Sequence, residues 1–121
     1  MNTVSLNRLK QCHPDLIKIM LRVDEIFPIH VICSIRNEKE QNEAFGRGQS
    51  KLKFPNSKHN KNPSHAVDVV PGSGKVISWA DLKPFEIMCL TVESIAEEYG
   101  IKIRLGRDFK TLQDWPHIEL V

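Results

Sequence analysis

Apolar positions along the chain alternate between two periods, and those periods predict the elements. In "HPDLIKIMLRVDEIF", residues 13–27, Leu16, Ile17, Met20, Leu21 and Val23 recur at helical spacing with charges between them. Pro14 sits in the first turn, and Pro28 ends the run. A shorter helix is expected in "SLNRLKQC", capped by Ser5. "IHVICSIR" is rich in β-branched residues and reads as a strand. "NEKEQNEAFGRG" reads as a helix, with Asn37 as cap, Glu40 at the capping-box position and Gly46 and Gly48 as the stop. The longest helix is expected in "SWADLKPFEIMCLTVESIAEEYG", closed by Gly100. Short strands are expected in "AVDVV", "IKIRLG" and "HIELV". Helices come first and between, without regular βαβ alternation, so the pattern is α+β: helices packed on a small, mostly antiparallel sheet.

Composition narrows the class. With 121 residues, the chain is expected to form one domain, residues 1–121. The formal net charge of +2 is too small for a polycation. Three scattered cysteines, Cys12, Cys33 and Cys89, suit reduced thiols better than a disulfide framework. No apolar run is long enough to span a bilayer. "MNTVSLNRLK" lacks the apolar stretch of a secretory signal, so no signal peptide and no membrane insertion are expected.

The segment "SKHNKNPSHAVDVVP", residues 57–71, breaks this ordinary picture. It places Asp68 inside an apolar strand, where an unpaired carboxylate is costly to bury. A metal ion removes that cost. Near the C-terminus, "QDWPHIEL" sets Asp114 three residues before His117, across a turn stiffened by Pro116. His59, Asp68 and His117 together offer two imidazoles and one carboxylate, the donor set of a catalytic zinc with one open position. Asp114 could then move protons as general acid/base, and Arg36 could stabilise an oxyanion. A lone histidine in a polar loop is usually solvated, and Asp-x-x-His alone matches many unrelated chains. The joint occurrence in this order is more specific.

The arrangement resembles the M15 family of zinc peptidases, which includes D-Ala-D-Ala carboxypeptidases and phage L-alanyl-D-glutamate endopeptidases. "SIRNEKEQNEAFGRGQSK", "SKHNKNPSHAVDVVP" and "DWPHIEL" are similar to three ordered motifs of that family. The resemblance implies a Hedgehog/DD-peptidase-like fold, Zn²⁺ held by His59, Asp68 and His117, and Asp114 as the catalytic acid/base. It implies that Arg36 contacts the substrate or oxyanion, with Gln41 and Ser57 near the substrate. The chain departs from the family in two places. Eight residues separate His59 from Asp68, more than is usual, and "RLGRDF" puts Arg104 and Arg107 where the family wall is often small and aromatic. His65 competes with His59 on composition alone, but the Ser-x-His context favours His59.

The implied function is zinc-dependent hydrolysis of peptide bonds in peptidoglycan stems, with L-alanyl-D-glutamate as the expected bond. A D-Ala-D-Ala carboxypeptidase is the alternative within the family, and a non-catalytic zinc-stabilised binding domain the alternative outside enzymes. The resemblance also implies a phage endolysin, expected to be a monomer; without a signal peptide it would wait in the host cytoplasm until it is released to the cell wall. A long loop is expected from Gly46 to Pro63, and the span from Ala44 to Val67 has no acidic residue but carries Arg47, Lys51, Lys53, Lys58 and Lys61. That charge suits an anionic wall polymer. Nucleic acid is not the expected partner, because only Phe54 could stack on a base.

Overall fold

A computed structural model describes all 121 residues. Four helices run α1 Thr3–Leu9, α2 Pro14–Ile26, α3 Glu38–Gly46 and α4 Lys83–Tyr99. Four strands run β1 Ile29–Cys33, β2 Ala66–Pro71, β3 Ile103–Leu105 and β4 His117–Leu120. The strands form one fully antiparallel sheet in the order β1-β2-β4-β3. This is the expected α+β architecture. No helix is long and apolar enough to cross a membrane.

Side chains on neighbouring strand positions point to opposite faces. Val67 and Val69 of β2 and Ile118 of β4 therefore turn to one face, where they join Leu16, Met20 and Val23 of α2 and Phe85, Met88 and Val92 of α4. All of these are buried, and their removal from water supplies the main driving force for the fold. Asp68 and His117 occupy the alternate positions and lie directly opposite one another in the β2–β4 register. The same alternation that builds the core thus aims a carboxylate and an imidazole at the opposite face.

Local sequence chemistry fixes the boundaries, with several departures from expectation. The α1 cap is Asn2, whose side chain accepts from the Ser5 amide. Ser5 is instead buried one turn in, and its hydroxyl accepts from the Val31 amide at 2.6 Å, tying α1 to β1. His13 caps α2 through Nδ1, and Pro14 takes the first helical position. On α2 the buried stripe is Leu16, Ile19, Met20 and Val23, while Leu21 is exposed. The Asn37–Glu40 capping box forms as expected. The longest helix starts at Lys83, later than the apolar run suggested, because Pro84 favours the first turn. Gly100 closes it in the left-handed conformation at φ 67°. The expected long loop contains a single 3-10 turn, Lys58–Asn60, capped by the Ser57 hydroxyl. That turn places His59. In β1 the register slips between Val31 and Cys33, so the bulge brings the chain from Cys33 to Arg36 alongside Asp68.

Candidate metal and catalytic centre

Three donor atoms converge on the open face of the sheet. Asp68 Oδ1 lies 3.2 Å from His117 Nδ1 and 3.4 Å from His59 Nε2, and the two nitrogens lie 3.3 Å apart. His59 is 1% exposed, Asp68 7% and His117 8%. These donors come from three separate elements: the 3-10 turn, β2 and β4.

The outward nitrogen of each ring is already occupied. His59 Nδ1 lies 2.6 Å from the Ser34 carbonyl oxygen, so in the neutral ring that nitrogen carries the proton and Nε2 turns its lone pair to the cluster. His117 Nε2 lies 2.8 Å from Glu119 Oε1, which leaves Nδ1 free in the same way. An outer acceptor that fixes the tautomer is the usual support for a metal-binding histidine. Cys33 Sγ also approaches, 3.9 Å from His59 Nδ1. It meets the nitrogen already committed to Ser34, so a cation held through that side of the ring would have to break the shorter bond. Two overlapping groups of donors, Cys33–His59–Asp68 and Asp68–Asp114–His117, each lie within 4.8 Å. Asp68 is common to both, and the ring tautomers favour the side facing His117.

Electrostatics follow from this crowding. Burial opposes ionisation of Asp68, but His59 and His117 overcome it and hold the carboxyl far below the usual range. Burial likewise opposes charging of the imidazoles, and the Asp68 carboxylate overcomes it. His59 is pushed up to about 10 and His117 to about 9. Without a cation the cluster therefore holds positive charge as protons. Those protons occupy the positions that a cation would take.

Asp114 is half-buried at the edge of the cluster. Burial, then the Asp68 charge, push its carboxyl above the usual range. Its position depends on Gly106. The Asp114 amide donates to the Gly106 carbonyl at 2.8 Å, and the His117 amide donates to the Asp114 carbonyl at 3.0 Å. A Cβ on Gly106 would collide with the Asp114 carbonyl oxygen and approach His117 Cβ to 2.8 Å. Only glycine lets the strand end and the Asp114–His117 turn pack this closely.

Arg36 reaches Asp68 Oδ2 through Nη2 at 3.4 Å, and its amide donates to the His59 carbonyl at 2.9 Å. Gln41 is fully buried, and its amide group donates to Ser50 Oγ at 2.9 Å and the Leu52 carbonyl at 2.7 Å. Asn60 Nδ2 donates to Gln41 Oε1 at 3.3 Å. Gln41 thus bolts the loop to the His59 turn. Ser57 is buried, with its hydroxyl accepting from the His59 amide. His65 lies outside the cluster, edge-on to His13 with ring centres 5.2 Å apart. The basic loop is partly neutralised: Lys58 reaches Glu119 at 3.6 Å and the Leu120 carbonyl, and Lys53 lies over the Phe45 ring. Glu119, Ser34 and Gly106 are the site residues that sequence reasoning missed.

Comparison with known proteins gives a consistent placement. Residues 1–121 match the family described as Phage L-alanyl-D-glutamate peptidase. The chain is 30% identical over 113 residues to the L-alanyl-D-glutamate peptidase of Escherichia phage T5, covering 92% of this chain and 82% of that protein. The crystal structure of the Serratia marcescens L-Ala D-Glu endopeptidase ChiX superposes with a TM-score of 0.86 at 30% identity, over 100% of this chain and 89% of that one. With a cluster of metal-capable donors on the sheet face and the whole length matched, this chain belongs to the phage L-alanyl-D-glutamate peptidase family.

Proposed function

We propose that this chain is a zinc-dependent endopeptidase that cuts the L-alanyl-D-glutamate bond of peptidoglycan stem peptides, in the setting of phage lysis. The observation that carries the metal part is the donor triangle of His59 Nε2, Asp68 Oδ1 and His117 Nδ1, with sides of 3.2–3.4 Å. Donors at the usual distance of about 2.0–2.1 Å from a tetrahedral zinc stand roughly 3.3–3.4 Å from each other. Two neutral imidazoles and one carboxylate leave the ion with net positive charge. When bound there, zinc supplies a Lewis acid that acidifies a water and polarises a carbonyl. The bond assignment is supported by the names of the family and of both relatives.

The chain's own groups supply the rest. Asp114 takes the proton from the attacking water and returns it to the leaving amine of glutamate. Its raised pKa suits a group that must hold the proton between those events. Arg36 stands at the rim, where it steadies Asp68 and faces the carbonyl oxygen as charge develops. Ser57 and Gln41 act on the substrate at one remove: Ser57 holds the turn that carries His59, and Gln41 holds the cleft wall at 50–52. A metal that only stabilised a binding domain would require neither Asp114 nor Arg36.

Digestion of purified peptidoglycan, followed by mass spectrometry of the new termini, tests this reading. New N-terminal D-glutamate is expected. Release of free D-alanine would point instead to a carboxypeptidase, and an undigested wall to a binding domain.

A further inference from the structure

Two clefts meet at the candidate centre and share Arg36, Gln49, Leu112 and Asp114. One, of about 380 Å³, is lined by Trp79, Leu82, Phe85 and Trp115, and its single cation is Arg36. The other, of about 500 Å³, is polar and contains Lys51, Arg104 and Lys110. The charges of this second wall are unequally satisfied. Arg36 is paired with Asp68, Lys58 with Glu119, Asp108 with Arg107 at 3.0 Å, and Glu119 with His117. Lys51 meets only the Thr111 hydroxyl. Arg104 lies over the Phe109 ring, with its guanidinium 4.8 Å from the ring centre. Neither Arg104 nor Lys110 forms an ion pair. Asp114, at the end shared by both clefts, forms no ion pair either; away from it the unpaired charge of the second cleft is cationic, from Lys51, Arg104 and Lys110, while the first cleft is mainly apolar.

The scissile bond of the proposed substrate is asymmetric in the same sense. On its N-terminal side stands alanine, with a methyl group. On its C-terminal side stands glutamate. One glutamate carboxyl continues the chain, and the other remains a free anion. Arg104 is placed to meet it. Its strand position pairs with Glu119, two residues along β4 from His117, which is about 7 Å by strand rise. A glutamate arm and an arginine side chain together span that distance. The Phe109 ring holds the guanidinium in place, so less freedom is lost on binding.

We infer that Arg104, flanked by Lys51 and Lys110, is a specificity-determining residue that recognises the free carboxylate of the glutamate on the C-terminal side of the scissile bond. The polar cleft takes the glutamate side and the Trp79 cleft the alanine side. This rests on the endopeptidase reading above and adds the direction in which the substrate lies.

The test uses zinc-loaded full-length protein and two synthetic peptides carrying the L-alanyl-D-glutamate bond. They differ only in whether the free glutamate carboxyl is a carboxylate or its carboxamide. A charge-assisted hydrogen bond corresponds to a preference of roughly 10- to 100-fold in kcat/KM for the carboxylate. Arg104→Gln should abolish that preference by slowing the carboxylate peptide alone, mostly through KM, and Arg104→Lys should restore part of it. If Arg104→Gln fails to fold by thermal melting, the Lys110→Gln and Arg104→Lys variants carry the test, each with a reduced preference expected. Equal cleavage of both peptides by the unmodified protein overturns the inference and leaves the endopeptidase reading standing. A preference that survives Arg104→Gln, or that is undiminished in both substitute variants, also overturns it. Failure to cut either peptide, in protein that binds zinc, rejects the endopeptidase reading itself and the inference with it.

Discussion

Glu119 Oε1 lies 2.8 Å from His117 Nε2, and the same ring presents Nδ1 to Asp68 at 3.2 Å. One strand therefore carries both a metal-capable imidazole and the group that fixes its tautomer, two residues apart on the same face. Burial opposes ionisation of Glu119, but the hydrogen bond from His117 prevails and lowers its pKa, so the carboxylate is a standing acceptor. Removing such a partner typically costs about 10- to 100-fold in metal affinity. Glu119→Ala should weaken zinc binding by that order, and Glu119→Gln by less, because its amide oxygen still accepts. Competition against a chromophoric chelator measures both. Unchanged affinity in Glu119→Ala would remove Glu119 from the support of the site.

The charge state of the metal-free cluster predicts opposite pH responses for the two forms of the protein. His59 and His117 titrate in the folded chain near 10 and 9, against 6.5 for the free group. Raised values mean stability that is fully present below about pH 6.5 and lost as pH rises through about 9 to 10. Asp68 is shifted the other way, so its contribution is present above about 3.8 and lost as pH falls toward its folded value. The two imidazoles share one carboxylate and should lose their protons as a coupled pair. Zinc needs both rings neutral, so its affinity rises over the interval in which the metal-free protein weakens. Thermal melts with chelator should show a falling midpoint from about pH 6.5 upward, and a growing shift on adding zinc. A midpoint that rises with pH over that interval in the chelated protein would contradict the proposed ion pairing.

Asp114→Asn separates proton transfer from metal binding. The amide keeps the size of the side chain but cannot accept the proton of the attacking water. Activity should fall by about 10²–10⁴-fold while zinc stoichiometry and the melting midpoint hold. Asp68→Asn should instead weaken zinc binding, because it removes the only charged donor of the triangle. Wild-type turnover in Asp114→Asn would exclude it as the acid/base.

Much of this was legible in the sequence, for identifiable reasons. Asp68 stood out because a carboxylate in "AVDVV" conflicts with burial, and only a partner resolves the conflict. The α3 helix was readable because Asn37 and Glu40 form a local capping box. Glu119 was missed because "HIEL" reads as ordinary strand alternation, although the spacing to His117 put both on one face. Ser34 acts through its carbonyl, which no side-chain pattern reveals. Gly106 matters for an approach made by Asp114 from a separate turn, and Gln41 for bonds to residues nine and eleven positions on. Such contacts arise only once the tertiary structure has formed.

The most direct test of the account is a zinc titration of metal-stripped protein, followed by the release of N-terminal D-glutamate from purified peptidoglycan. No release is expected without metal, and a plateau is expected at about one zinc per chain, the stoichiometry of one tetrahedral site. His59→Ala and His117→Ala should fail to reach that plateau, while His65→Ala should match the unmodified protein. Full release by the metal-free protein, or unchanged titrations in both His59→Ala and His117→Ala, would contradict the account.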